Sequence, residues 1–243
     1  MRIDLGKRIF SPSLAMTVLT IAAVALFIAL GRWQWHRGEY HRALRDQFAQ
    51  QDRPAVEIGT RSLASLPRFS RVLLRGRYVP RQFVLDNMSH NGQPGYEVLT
   101  VFALADGREV LVNRGWLQAS GYRDRLPGID LPLQLTTAAI ITGRLTDLPV
   151  AALESGRAPP TLDARWPKLT SFPRWLELEA AAGHALERQQ VLLDASQPGG
   201  FLREFRPPGI DPERNFSYAI QWWAFALLAI VLYLVLNLRK VTR

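Results

Sequence analysis

Cysteine is absent from this 243-residue chain, lysine occurs only at Lys7, Lys168 and Lys240, and methionine occurs three times. The first absence excludes disulfides, thiolate nucleophiles, Cys-ligated zinc or iron–sulfur clusters, and covalent haem attachment through C-x-x-C-H. It selects no compartment, because an exported domain of this size folds without disulfides. The shortage of lysine makes the basic excess almost entirely arginine: the formal net charge is +9 and the pI about 10.6. Arginine's planar, permanently charged fork suits anionic lipid head groups, acidic partners and carboxylate-bearing ligands. Nucleic acid is not expected as a partner, since there is no zinc spacing, glycine-aromatic RNA motif or lysine-rich arm.

Charge is missing altogether from two stretches. No charged side chain occurs from Ser11 to Gly31, and "LAMTVLTIAAVALFIAL" within it is long enough to cross a hydrocarbon core of about 30 Å as a helix. The run exceeds a signal-peptide apolar region, and Arg32-Trp33 follows it without a small-residue cleavage site, so a retained signal anchor is expected. A second charge-free stretch lies between Arg214 and Arg239, with "FALLAIVLYLVL" at its centre. Two spans put both termini on one side of a bilayer. Arginines flank both ends of the long loop (Arg32, Arg37, Arg42, Arg203, Arg206), but a long loop is translocated largely regardless of charge. The short tails decide instead, through Arg2, Lys7, Arg8, Arg239, Lys240 and Arg243. The expected layout is a cytoplasmic tail at 1–11, a span at 12–31, a periplasmic domain at 32–215, a span at 216–238 and a cytoplasmic tail at 239–243. No Arg- and Ser-rich presequence precedes the first span, which favours a bacterial inner membrane over a mitochondrial one.

Between the spans the texture is that of strands. "RVLLRGRYV" (71–79), "FVLDN" (83–87), "YEVLTVFAL" (96–104), "EVLVNRGWL" (109–117), "TTAAIITGRL" (136–145) and "QVLLDA" (190–195) are short β-branched, aromatic and aliphatic runs. "HNGQPG", "ADG" and "LPGIDLP" separate several of them as turns, and Ala105-Asp106-Gly107 predicts a tight hairpin. A helix is predicted over Pro173–Arg188, and the proline-bearing segment 154–170 reads as a loop. The expected fold is α+β: two transmembrane helices flanking one antiparallel β-rich extracytoplasmic domain.

Enzymatic signatures are also missing. There is no G-x-S-x-G elbow, phosphate-cradling glycine loop, dinucleotide fingerprint or H-E-x-x-H. A Ser–Lys dyad in the domain would have to use Lys168, in the predicted loop, and carboxylates such as Asp86, Asp106 and Asp163 are scattered. His90 and His184 have no partner at metal-ligand spacing and read as solvent-exposed. No catalytic residue and no metal ligand is expected, and an exported, membrane-anchored hydrolase is the less favoured class.

What the chain does have is aromatic density where both spans meet the outer side. The first leaves as "GRWQWHRGEYHRAL" and the second enters as "NFSYAIQWWAF". On a continued helix Gln34, Arg37 and His41 form one stripe and Trp33, Arg37 and Tyr40 an overlapping one. Tyr218, Gln221 or Trp222, and Phe225 follow the same spacing in the second helix. Interfacial tryptophans and snorkelling arginines account for much of this pattern. Gln34 and Gln221 point instead to packing between helices. An apolar, flat ligand with acidic edges, such as haem, would suit a wall of this kind.

In these residues the chain resembles the surfeit locus protein 1 family, membrane factors for the assembly of cytochrome c oxidase. The motifs are "GRWQWHR" (31–37), "GYEVLTVF" (95–102), "VNRGW" (112–116) and "YAIQWWAFA" (218–226), in the family's order and with its two-span layout. The resemblance implies delivery or insertion of haem a into the oxidase's catalytic subunit. It carries over a glycine, tryptophan, glutamine and arginine to Gly31, Trp33, Gln34 and Arg37. It carries arginine–glycine–tryptophan to Arg114, Gly115 and Trp116, and the second-helix pattern to Tyr218 and Trp222. The family's histidine three residues before that tyrosine is Asn215 here, a poor iron ligand, which leaves His36 or His41 nearest by topology. The expected cofactor-binding residues are therefore Trp33, Gln34, Arg37, His41, Arg114, Trp116, Tyr218 and Trp222, with haem a, the catalytic subunit and the lipid bilayer as partners. Arg37 and Arg114 are expected to pair with carboxylates. The alternative is a scaffold for oxidase subunits that never touches haem.

Overall fold

A computed structural model of the protein describes residues 3–4, 8–49, 54–120, 128–151, 153–205, 207 and 209–240. Arg2, Lys7, Arg206 and Arg243, and the first two residues of the LPGIDLP turn, lie outside the described residues. The strands β1 (Ile3–Asp4) and β2 (Arg8–Phe10) precede a long helix, α1 (Leu14–Ala49). Then come β3 (Val56–Glu57), β4 (Arg71–His90), β5 (Gln93–Leu104), β6 (Glu109–Gln118), α2 (Leu133–Thr137), β7 (Ala139–Thr146) and β8 (Lys168–Thr170). The chain continues through α3 (Trp175–Ala182), β9 (Gln190–Leu193), α4 (Pro212–Asn237) and β10 (Leu238–Lys240). It divides into two compact units, Met1–Ala49 with Pro207–Arg243, and Gln50–Arg206.

The first unit is an antiparallel helix pair. At its inner end β2 pairs antiparallel with β1 and with β10, and the Ser11 amide donates to the Asn237 carbonyl at 3.0 Å. Thr17 and Tyr233 share a hydroxyl hydrogen bond of 2.7 Å across the two helices. Asp211 caps α4 by accepting from the Glu213 amide, with Pro212 in the first turn, where a missing N–H costs nothing. α1 has 36 residues, about 54 Å at 1.5 Å per residue, so it runs well beyond the charge-free segment. Both helices are long and apolar enough to cross a membrane. Only 6% of the most apolar window of α1 and 11% of that of α4 is buried in the protein, so their Leu, Ile and Val side chains remain uncovered by protein.

The second unit is built on a closed ring of strands. β4, β5 and β6 form an antiparallel meander, β6 pairs parallel with β9, and β9 pairs antiparallel with β7. β7 returns to pair antiparallel with the first half of β4, Arg71–Gly76, which closes the ring. The sheet is therefore mixed rather than purely antiparallel, because β3 and β8 also pair parallel with β4. The parallel β6–β9 pair needs a crossover, and the long connection through β7, β8 and α3 provides it. One core holds Val72, Leu74, Phe102, Val112, Ile141 and Leu193, and a second holds Phe83, Leu85, Leu99, Val101 and Leu111 under Leu178 of α3. Both faces of the strands are thus covered, which is why the runs read as continuously apolar.

The runs at 71–79 and 83–87 form one 20-residue strand. Pro80 cannot donate to the ladder, and the register shifts between Tyr78 and Gln82, so the strand bends without ending. Asn91 and Gly92 make the β4–β5 turn with positive φ, and Gly107 serves the expected β5–β6 hairpin at φ 88°. The predicted helix 173–188 stops at Ala182, because Gly183 takes the left-handed conformation and donates its amide to Glu179. In the predicted loop 154–170, Lys168–Thr170 is the strand β8, and Lys168 is buried with its ammonium on the Thr161 and Asp163 carbonyls. That ammonium is committed to main chain, so it forms no Ser–Lys dyad.

Candidate functional site

Seven-residue spacing organises the half of the helix pair that holds the end of α1 and the start of α4. Gly31 and Gly38 are buried on α1, and each is roofed by a ring from α4. A Cβ at Gly31 would lie 2.2 Å from the Trp223 indole nitrogen, and one at Gly38 would lie 2.6 Å from the Phe216 ring. The glycines let the rings sit directly on the α1 backbone, as small residues do in membrane helix pairs. Trp35 fits between them, 4.8 Å from the Phe216 centroid and 5.7 Å from that of Trp223. Further along the pair, away from the start of α4, Trp222 stacks on Phe27 at 5.8 Å, with Phe225 against both. α4 also carries two small buried residues seven apart, Ala219 and Ala226.

Polar side chains are trapped in this seam. His41 is 8% exposed, and neither ring nitrogen has a hydrogen-bond partner among the described residues. Asn215 is 5% exposed with its Nδ2 unpartnered, and Gln34 holds a buried, unpartnered Oε1. The register set by the Gly31–Trp223 and Gly38–Phe216 contacts places Asn215 level with Glu39, about half a turn from His41 and about one and a half turns from Gln34. Each such group costs about 1–3 kcal/mol relative to a satisfied one. Outside the seam the polar groups are paired: Arg42 with Glu213, Arg45 with Asp211, and Glu39 with His36 and the Trp35 indole.

The expected stripes therefore split. Gln34 and His41, seven residues apart, enter the seam, whereas Arg37 between them turns outward. Trp33 is 53% exposed with the Arg37 guanidinium 5.7 Å above its ring, and Tyr40 and Tyr218 are also exposed. Arg37 makes no ion pair with a described residue. Trp222 is half-buried in its stack with Phe27, while Gln221 is exposed. The sequence reading missed Gly38, Trp35, Phe216, Trp223 and the seam position of Asn215. The matching seven-residue spacings Gly31–Gly38 and Phe216–Trp223 were the available signal.

Arg114 and Trp116 belong to the ring unit, and both are engaged inside it. Arg114 is 2% exposed. It donates to the carbonyls of Gly199, Ile129 and Asp130 at 2.7, 3.0 and 3.2 Å, and more weakly to Gln82 and Thr100. Its guanidinium also lies 4.8 Å from the Phe201 ring. Burial pushes its pKa down, with Tyr78 and Asp130 opposing. Nε, Nη1 and Nη2 thus each donate within the ring unit, where the sequence reading expected a carboxylate partner. Gly115 has φ 110°, and a Cβ there would strike the Leu202 carbonyl at 2.6 Å. Trp116 donates its indole N–H to the Met88 carbonyl at 2.7 Å and meets the Leu202 backbone. The arginine–glycine–tryptophan run thus clasps the 199–202 segment to β6.

His90 is not solvent-exposed as expected: its side chain is 15% exposed, lies 5.3 Å from the Trp116 ring and contacts Glu204 at 3.1 Å. His184 is half-exposed beside Arg81 and Glu109. Among the described residues no group of three or more His, Asp or Glu side chains is placed to hold a metal ion.

The profile of the SURF1 family matches residues 21–227. An uncharacterized SURF1-like protein of Mycobacterium tuberculosis (strain H37Rv) is 30% identical over 224 residues, covering 89% of this chain and 80% of that protein. A counterpart in Mycobacterium bovis matches with the same figures. A SURF1-like protein of Dictyostelium discoideum is 30% identical over 100 residues, 36% of this chain and 37% of that one.

Proposed function

Because the chain belongs to the SURF1 family, an assembly-factor family linked to cytochrome c oxidase, we propose that it holds haem a at the outer end of the α1–α4 pair and presents it to the catalytic subunit of that oxidase. The observation that carries this reading is the set of unpartnered polar atoms of Gln34, His41 and Asn215, buried in a seam whose other walls are aromatic. Such a seam is poorly satisfied as it stands and suits a flat, apolar ligand with a few polar contacts.

Haem a, when bound, supplies an iron porphyrin with acidic propionates. Each residue type then has a physical task. Trp33, Trp222 and Tyr218 offer ring faces to the macrocycle. Arg37, exposed and unpaired, meets a propionate. Gln34 and Asn215 supply hydrogen bonds that the seam itself leaves unmade. Arg114 and Trp116 act indirectly, by ordering the ring unit. The role is that of a carrier, not a catalyst: it shields a poorly soluble, oxygen-reactive cofactor on its way to the oxidase. In this reading the helices span a bacterial inner membrane, the tails face the cytoplasm and the ring unit faces the periplasm.

The second reading, a scaffold that contacts oxidase subunits without haem, is favoured by the rings of Phe216 and Trp223, which sit directly on α1 at Gly38 and Gly31 with Trp35 between them. Purification from cells that make haem a separates the two. A haem a absorbance band that survives washing and weakens in Arg37→Ala supports the carrier. A colourless protein that still co-purifies with oxidase subunits supports the scaffold.

A further inference from the structure

We infer that the His41 imidazole is the group that meets the iron of a haem held at the α1–α4 seam, an assignment that rests on the carrier reading above. The second helix supplies no nitrogen or sulfur ligand: α4 holds no cysteine, histidine or methionine, and its buried positions nearest His41 in register are Pro212 and Asn215. Of the two histidines on α1, His36 has a side chain 68% exposed and its Nδ1 sits 3.1 Å from Glu39. His41 differs on every count. It is buried, it lies against Gly209 just before α4, and both of its ring nitrogens lack a hydrogen-bond partner among the described residues. Imidazoles with a structural task in a folded core are normally hydrogen-bonded through at least one nitrogen, so a doubly orphaned ring calls for a ligand.

The surroundings fit that task. Gly209, with φ 103°, lies against the ring edge: a Cβ there would come within 2.5 Å of His41 Nδ1 and 2.8 Å of Cε1. The missing Cβ lets the backbone just before α4 close directly on the Nδ1 edge, while Tyr40 packs edge-on against the imidazole at 5.5 Å. Metal-bound imidazoles use one nitrogen for the metal and give the other N–H to a hydrogen-bond acceptor, which sets the ring's orientation.

The test uses the full-length chain in detergent, titrated with hemin and with haem a and followed by absorbance and electron paramagnetic resonance. Wild type should show an imidazole-ligated spectrum. His41→Ala should lose it, with affinity falling by at least about tenfold, and added imidazole should restore it. Gly209→Ala, which crowds the ring, should weaken the same signature, while His36→Ala keeps it. Circular dichroism reports that each variant is folded. An unchanged spectrum in folded His41→Ala, with wild type binding haem, overturns the His41 assignment and leaves the carrier reading standing. No haem binding by folded wild type removes both.

Discussion

Arg114 lets the internal order of the ring unit be tested quantitatively. Arg114→Met keeps the apolar stem and deletes the guanidinium. Three carbonyl oxygens, of Gly199, Ile129 and Asp130, then lose donors at 2.7, 3.0 and 3.2 Å. Hydrogen bonds to a charged group are each worth about 1.5–3 kcal/mol, so their gross sum is roughly 4.5–9 kcal/mol. Against this stands the desolvation of a 2%-exposed cation, several kcal/mol, which the variant no longer incurs. The expected net loss is about 3 kcal/mol. For a domain of this size that lowers Tm by roughly 6–12 °C. The assay is thermal unfolding of the full chain in detergent by near-ultraviolet circular dichroism, with limited proteolysis reporting release of the 199–201 and 129–130 segments. Arg114→Lys should fall nearly as far, because a single ammonium cannot reach carbonyls on both segments. A Tm within about 2 °C of wild type for Arg114→Met would show that these bonds do not hold the loops. Loss of haem binding at unchanged stability would return Arg114 to the ligand.

Gly38→Val should force the Phe216 ring off α1 and destabilise the helix pair by about 1–3 kcal/mol, read as a changed emission from Trp35 and Trp223; Gly156→Ala, whose Cβ meets nothing, serves as the neutral control, and equal behaviour of the two variants refutes the close approach. Glu97 sits partly buried on β5, accepts from Asn113 Nδ2 at 2.6 Å, and has its pKa raised above 4.5 by burial, with the Asn113 bond pulling the other way. The folded state therefore holds this proton more tightly than the unfolded state, and stability falls as pH rises from about 4.5 through the raised folded value. Glu97→Gln should gain stability relative to wild type as pH rises through that window, measured as a Tm difference; a difference that does not vary with pH contradicts the burial argument.

Several features were legible from local chemistry alone. The NG and DG turns, the charge-free runs and most strands follow from residues that act within a few positions of one another. The bend in β4 was half legible: Pro80 predicts an interruption, but whether a strand stops or bulges depends on what pairs with it beyond the proline, here β8. In the candidate site the glutamines were informative, since Gln34 does enter the helix seam, yet the same reasoning placed Arg37 and Trp33 there as well. A helical stripe three or four residues wide cannot say which of its edges meets the neighbour. Gly38 and Phe216 say it, and only as a pair, since neither is distinctive until the other is opposite.

Length and apolarity on their own determined that two helices here can cross a membrane, because that property needs no partner elsewhere in the chain. Ring closure was different: Arg71–Gly76 pairs with Ala139–Arg144, and that choice belongs to both strands at once. So too with Arg114, whose burial depends on carbonyls brought from the 129–130 and 199 segments. The tertiary structure decided these, because a side chain's solvation is set by what folding brings around it and not by its neighbours in the chain.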